Sequence, residues 1–409
     1  MQAGAVKHNV NLLAAAFALT AVSYGLARFA FGLLLPEIRT ELSLDIATTG
    51  WIGSSAFVAY CIGVSITFML NRACSPRAIA LAAGLASTIG MVTITLSSSG
   101  WMLGTGVALA GLSTGLTSPP LATAVSLRFD DAHRPKANAI INAGTAAGIV
   151  FSGLASLIAF GGWRELYILF SAISCAVTVW VLYAVPTEQN RTTSEPASFA
   201  MFKRPGMLAL CTGSFLMGLS STAIWTFGGS LLRDEFDFMQ SDIAWIWVAL
   251  GLAGVTGAMT GRFVQRFGPV RVHWISLVGM AAGIMGLSCT SISVASAFIS
   301  VALFGASYIV SSGAFLIQGI RLLPDRPDLG LGIPFLILAS GQSAGSPLFG
   351  ALLAHWGVGV ALAVFAGVAL LAGCIRPRRS CPRQSEYLSQ ADQSRPRSGS
   401  NPALRDTLR

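Results

Sequence analysis

The sequence predicts an all-α membrane protein of twelve transmembrane helices in two six-helix bundles. Three observations predict it. Hydrophobic residues fill 54% of the 409 positions and charged residues only 11%, against roughly a quarter charged in an ordinary soluble domain. Apolar runs that approach the ~20 residues needed to cross hydrocarbon recur along the chain. They are continuous, whereas barrel strands would alternate in segments of about ten residues. Finally, the longest internal polar stretch divides these runs six and six.

Taken in order, the runs fall at 9–36, 47–70, 77–97, 101–126, 137–159, 163–185, 207–231, 242–264, 271–290, 294–320, 331–354 and 358–375. The first is too long for the core of a signal peptide and has no small-residue cleavage site before polar sequence, so it is expected to stay as span one. Residues 1–185 form the first bundle and 207–376 the second. Residues 186–206, with EQNRTTSEP and KRP, read as a cytoplasmic linker. The tail 377–409 is rich in Arg, Ser, Pro and Gln and is expected to be disordered.

Orientation follows from the 26 Lys and Arg residues. With the N-terminus inside, 22 fall on the cytoplasmic side, only Arg39, Arg164 and Arg233 lie in outer loops, and Arg28 is left within a span. The positive-inside rule therefore places both termini in the cytoplasm, and a bacterial inner membrane is the expected location. The excess of 14 over three persists when the eight basic residues of the tail are set aside. The net charge of +9 is scattered singly between apolar runs with no aromatic-interleaved basic face, which excludes a nucleic-acid partner. Seven cysteines without a CxxC pair indicate neither a disulfide framework nor a zinc site.

The two halves repeat. A shift of 194 residues lays Trp51 on Trp245, Gly63 on Gly257, Asn71 and Arg72 on Gln265 and Arg266, and Arg77 on Arg271. A shift of 197 lays Gly144, Gly148 and Gly153 on Gly341, Gly345 and Gly350, which keeps a G-x3-G-x4-G spacing in spans five and eleven. Two bundles related by an axis along the membrane normal, with a site between them near the midplane, explain both matches. The glycines are read as helix-packing positions, and equally as contacts along which helices slide.

These residues resemble the major facilitator superfamily over essentially all of 9–376. That family carries a loop G-x-x-x-D-R-x-G-R between spans two and three, weakly repeated between spans eight and nine. The second copy stands here as Gly261-Arg-Phe-Val-Gln265-Arg266-Phe-Gly268-Pro-Val-Arg271, with Gln in place of the acid. The first copy, Leu70-Asn71-Arg72-Ala-Cys74-Ser-Pro-Arg77, has Asn at the acid position and Cys at the glycine. The resemblance makes these the gating loops, and a charge-neutral gate through Asn71 and Gln265 is the expected substitute for the family's acid. The opening Tyr24-Gly-Leu-Ala-Arg28-Phe-Ala-Phe-Gly32-Leu-Leu-Leu-Pro36 looks like the YbfB/YjiJ-type branch of bacterial facilitators, which implies no particular substrate.

Arg28 is the only charged residue deep in any span, ~12 Å inward of Pro36 at ~1.5 Å per residue. An unused charge there costs several kcal/mol. Tyr24 lies one turn earlier on the same face. Two readings stand: a guanidinium that clamps a substrate carboxylate, or an arginine satisfied by neighbouring spans that fixes the bundle. Tyr60, Asn142, Trp225, Tyr308, Gln318 and Gln342 are the neutral polar candidates in other spans. Of these, Asn142, Trp225, Tyr308 and Gln342 join Arg28 and Tyr24 in the expected substrate site. Pro119 and Pro120 in span four, and Pro334 and Pro347 in span eleven, are expected to bend or break their helices.

All 17 Asp and Glu fall in loops, tails or span ends, so no acid is placed as an intramembrane proton relay. Coupling through a proton carried by the substrate, exchange between anions, and uniport all stay open. No phosphate-binding loop or H-E-x-x-H motif is present, and the four His are far apart, so an enzyme is not expected. No cofactor or metal is called for, and the expected partners are the lipid bilayer and a small solute, with the chain a monomer. The expected function is secondary transport of a small organic solute, a carboxylate or other anion leading. Efflux of neutral or cationic drug-like compounds, and a transport-silent sensor of the same fold, are the alternatives.

Overall fold

The computed structural model describes residues 2–70, 73–159, 162–188, 203–289 and 293–375. Helix α1 (2–42) is built from three consecutive segments, Gln2–Thr20, a π-helical Ala21–Phe29, and Ala30–Leu42. Then follow α2 (Ile46–Leu70), α3 (Pro76–Thr95), α4 (Gly100–Arg128), α5 (Arg134–Ile158) and α6 (Gly162–Ala184). The second half repeats the pattern. Helix α7 (207–235) joins Met207–Trp225, Gly228–Ser230 and a π-turn, Leu231–Glu235. Helix α8 (240–267) joins Gln240–Ala253, a 3-10 stretch Gly254–Met259, and Thr260–Phe267. Pro269–Gly286 is α9 and Val294–Leu322 is α10. The last segment, Pro327–Cys374, holds α11 (327–356) and α12 (358–374), which are separated at Gly357 with φ 77° and ψ 172°.

Among the described residues, ten segments are long and apolar enough to cross a membrane. The last of them contains both α11 and α12, and α4 adds the twelfth span. The hydropathy of α4 is lowered by Ser113, Thr114, Thr117, Ser118 and its two prolines, and of these Ser113, Thr114, Thr117 and Pro120 are buried among other helices. Bulky apolar side chains such as Met69, Trp101, Ile158, Leu208 and Leu371 stand exposed on the outside. That surface suits lipid.

Local sequence sets the helix ends. Ser75, Ser99 and Ser293 accept from the backbone N–H of Ala78, Met102 and Ala295 at the starts of α3, α4 and α10. Pro76 follows Ser75 at a position where its missing N–H costs nothing. The prolines inside α4 and α11 do not break them: both helices run on through Pro119, Pro120, Pro334 and Pro347. Non-helical backbone appears instead at Gly357.

The repeated glycines show how the bundles are built. A Cβ on Gly144 would stand 2.4 Å from Phe17 O, and one on Gly148 would stand 2.3 Å from Ala21 O, so α5 lies directly on α1. In the second half, Gly341 meets Phe215 O at 2.0 Å and Gly345 meets Leu219 O at 2.3 Å, so α11 lies on α7 in the same way. The third glycine of each set faces the other bundle. Gly153 approaches Ala244 and Val248 of α8, and Gly350 approaches Ile46 and Ala47 of α2. The first two positions of each triplet are therefore fixed packing inside one bundle, and only the third lies where one bundle meets the other.

Candidate functional site

Arg28 lies in the π-helical segment of α1 and is 9% exposed. Its NH2 group donates to Gln342 Oε1 of α11 at 2.9 Å, a bond that crosses between the two bundles. Gln342, fully buried, donates through Nε2 to Ser221 Oγ of α7 at 3.1 Å and to Tyr308 Oη of α10 at 3.4 Å. Gln342 thus uses its acceptor on the arginine and its donor on two hydroxyls. Rings surround the guanidinium: its carbon lies 4.7 Å from the centroid of Phe57, 4.8 Å from Tyr60 and 5.3 Å from Phe29. Phe29 packs on Trp225 at 4.3 Å, and Trp225 stands edge-on to Tyr308, Phe304 and Trp247.

No ion pair among the described residues involves Arg28. Its Nε and the Trp225 Nε1 are buried without a hydrogen-bond partner. A buried donor left unmade costs about 1–3 kcal/mol, more when charged. Aromatic faces attract a cation but do not neutralise it. The arrangement can therefore accept an anion: a carboxylate would supply the missing charge and the missing acceptor together. Arg28 sits within a π-helical turn, and such turns are frequent at functional sites. Gly25 on the same turn packs against Gly148, where a Cβ would be 2.4 Å from backbone.

Other expected residues are placed as follows. Tyr24 is half-buried and shares a hydrogen bond with Ser118 of α4 at 2.9 Å. Tyr308, Trp225 and Gln342 come to the arginine from α10, α7 and α11, and Tyr60 from α2. Asn142 does not join them: it is exposed near the start of α5. Gln318 is half-buried ten residues further along α10 than Tyr308. Phe57, Ser118 and Ser221 enter the site without having been singled out, because an apolar ring or a serine in a span carries no signal of its own.

Of the gating-loop residues, Asn71 and Arg72 lie outside the described residues. Arg77 donates from Nε to Val185 O at 2.6 Å. Gln265, Arg266 and Arg271 are exposed, and Arg266 lies over the Phe267 ring at 5.3 Å. Gly268 takes φ 80° in the turn before Pro269, a conformation that favours glycine. At the same end of the molecule Arg204 donates to both carboxylate oxygens of Asp325, at 2.6 and 2.7 Å, which holds the Asp325 carboxyl below its ordinary range.

The opposite end, beyond Arg28 from the termini, is closed between bundles. Arg39 of α1 pairs with Asp234 of α7. A Cβ on Gly32 would stand 2.2 Å from Trp225 O, and one on Gly229 would stand 2.3 Å from Gly32 O. Ser54 of α2 donates to Ser343 O of α11 at 2.7 Å.

A family model described as "Major Facilitator Superfamily" matches residues 17–345. Monocarboxylate transporter 13 of Rattus norvegicus is 24% identical over 381 residues, covering 88% of this chain and 85% of its own. The solved nucleoside transporter NupG superposes with a TM-score of 0.73 at 14% identity, covering 90% of this chain and 97% of that one. A D-xylose-proton symporter does so with 0.70 at 15%, covering 90% and 96%. The twelve spans, the paired bundles and a family match over most of the length agree, and the chain belongs to the Major Facilitator Superfamily, a family of membrane-spanning transporters for small molecules rather than of enzymes.

Proposed function

We propose that this protein is a secondary transporter of a small organic anion, most simply a carboxylate, that works by alternating access around Arg28. The observation that carries the reading is the arginine itself: buried, between the bundles, with no ion pair to any described acid and Nε unmade. The rings of Phe57, Tyr60 and Trp225 give the anion's organic part an apolar wall. The rat relative's name, a monocarboxylate transporter, points to the same substrate class. With the termini in the cytoplasm of a bacterial inner membrane, the closed end is the outer one, and the protein faces inward. Among the described residues no acid is paired with Arg28, which favours a proton carried by the substrate, exchange between anions, or uniport over a side-chain proton relay.

Thermal unfolding of the detergent-solubilised protein and its Arg28→Ala variant, against small carboxylates, neutral metabolites and cationic drugs, tests this. Binding to the folded state raises the midpoint. Carboxylates should stabilise the native protein and not the variant, and proteoliposome uptake of the same compound should fall at least about a hundredfold, as expected when a buried charged contact is lost. Stabilisation of both proteins by neutral or cationic compounds would overturn the anion reading in favour of drug efflux. Specific binding with no flux of any ligand would favour a sensor.

A further inference from the structure

A second basic site lies away from Arg28, at the end of the first bundle that carries the termini. The start of α1, the first turn of α3, the last turn of α4 and the end of α6 enclose a cavity of about 240 Å³. That is far more than the ~15 Å³ one water requires. Its walls include His8, Asn11, Arg77, Arg128, Tyr183 and Val185. Two guanidinium groups from different helices thus share one hollow. The bond from Arg77 Nε to Val185 O fixes the first of them at the wall. The second meets a carboxylate, Glu188, only at 3.4 Å in a largely exposed pair, and such pairs contribute little.

The surroundings are those of a membrane interface. Tyr183 is exposed, and Trp180, one turn earlier on α6, donates from Nε1 to Asn11 Oδ1 at 2.9 Å. Trp and Tyr concentrate at headgroup level because one edge of each is apolar and the other polar. Leu169 and Val179 continue the exposed apolar face of α6 below them. A ligand seated between the two arginines could lay an acyl chain along that face. Guanidinium forks match phosphate oxygens in shape and charge, and basic pockets between spans on the cytoplasmic side suit anionic headgroups.

We propose that this cavity binds the phosphate-bearing headgroup of an anionic lipid. The test is thermal unfolding in neutral detergent of the native protein and an Arg77→Gln/Arg128→Gln variant, with added phosphatidylglycerol, phosphatidylcholine or inorganic phosphate. Phosphatidylglycerol should raise the native midpoint saturably, and the double variant should need about tenfold or more lipid for the same rise, as expected for lost charge-assisted bonds. Phosphatidylcholine and inorganic phosphate should move neither. Arg77→Gln also removes the bond to Val185, so Arg128→Gln alone and Glu188→Gln are measured beside it, the first weakening and the second tightening the response. Lys136→Gln, an exposed charge at the same end but outside the cavity, should leave it unchanged. Equal responses of native and double-variant protein to phosphatidylglycerol would overturn the site. An inorganic-phosphate response as large as the lipid's would overturn the lipid and leave a free-anion pocket.

Discussion

Arg28 is expensive where it stands, and the chain meets that cost only in part. One guanidinium nitrogen reaches Gln342, three rings face the cation, and Nε is left without a partner. A neutral amide opposite a buried cation is a weak match compared with a carboxylate. Gln342→Glu should convert that match into an internal ion pair and fill the place of a substrate anion. We expect the variant to fold, to unfold at the native midpoint or above, and to lose both the carboxylate-induced shift and carboxylate uptake by at least about tenfold. Native uptake in Gln342→Glu would remove Arg28 from the substrate path. Arg28 was legible in the sequence because a charge deep in an apolar run is conspicuous. Gln342 and Tyr308 were visible as isolated polar residues, but their meeting was not, since it depends on two bundles packing face to face. Asn142 had the same sequence credentials as Gln342 and stands exposed near the start of α5 instead. Where along its helix a residue stands, and what packs against the helix there, separates such cases, and composition does not supply it.

At the scale of elements, spacing in the sequence carried more. The G-x3-G-x4-G match located the same helix in both halves, and the structure gives its first two positions one task, the seating of α5 on α1 and of α11 on α7. What a period cannot reveal is which glycine faces a neighbour in the same bundle and which faces the other bundle. Gly148→Ala and Gly345→Ala each place a methyl 2.3 Å from a backbone carbonyl oxygen that a rigid helix cannot move. Each should destabilise by about 1–3 kcal/mol, the usual cost of overpacking. Gly367→Ala, with nothing within 4 Å of its Cβ, should be neutral or stabilise slightly through helix propensity. Thermal unfolding of the three variants in one detergent checks the order, and Gly148→Ala and Gly345→Ala as stable as Gly367→Ala would show that α1 and α7 can give way. The π-helical turn of α1 was not legible, because nothing in the pattern of residues 21–29 marks a change of helical pitch.

At the scale of the whole molecule, the twelve spans followed from hydropathy, because a continuously apolar run in a bilayer can satisfy its backbone groups only as a helix. Which conformation the carrier rests in did not follow, since that is a small difference between two packings of the same bundles. The closed end far from the termini rests on the α1–α7 approach at Gly32 and Gly229 and on the Arg39–Asp234 pair, whose side chains are 19% and 36% exposed. A pair of that exposure contributes up to about 1 kcal/mol. Asp234→Asn should therefore shift the balance toward the form open at this end by about two- to fivefold, with the glycine contacts intact. Spin labels at Thr40→Cys and Glu235→Cys, both exposed positions of α1 and α7, on a background with the native cysteines replaced, would report the separation of the two helices. The long-distance population should rise in Asp234→Asn and fall again when the substrate anion bridges the bundles at Arg28. An unchanged distribution would mean that the close helix contacts between the bundles, at Gly32 and Gly229 and between α2 and α11, close this end without the ion pair, which forms only because those helices are already together.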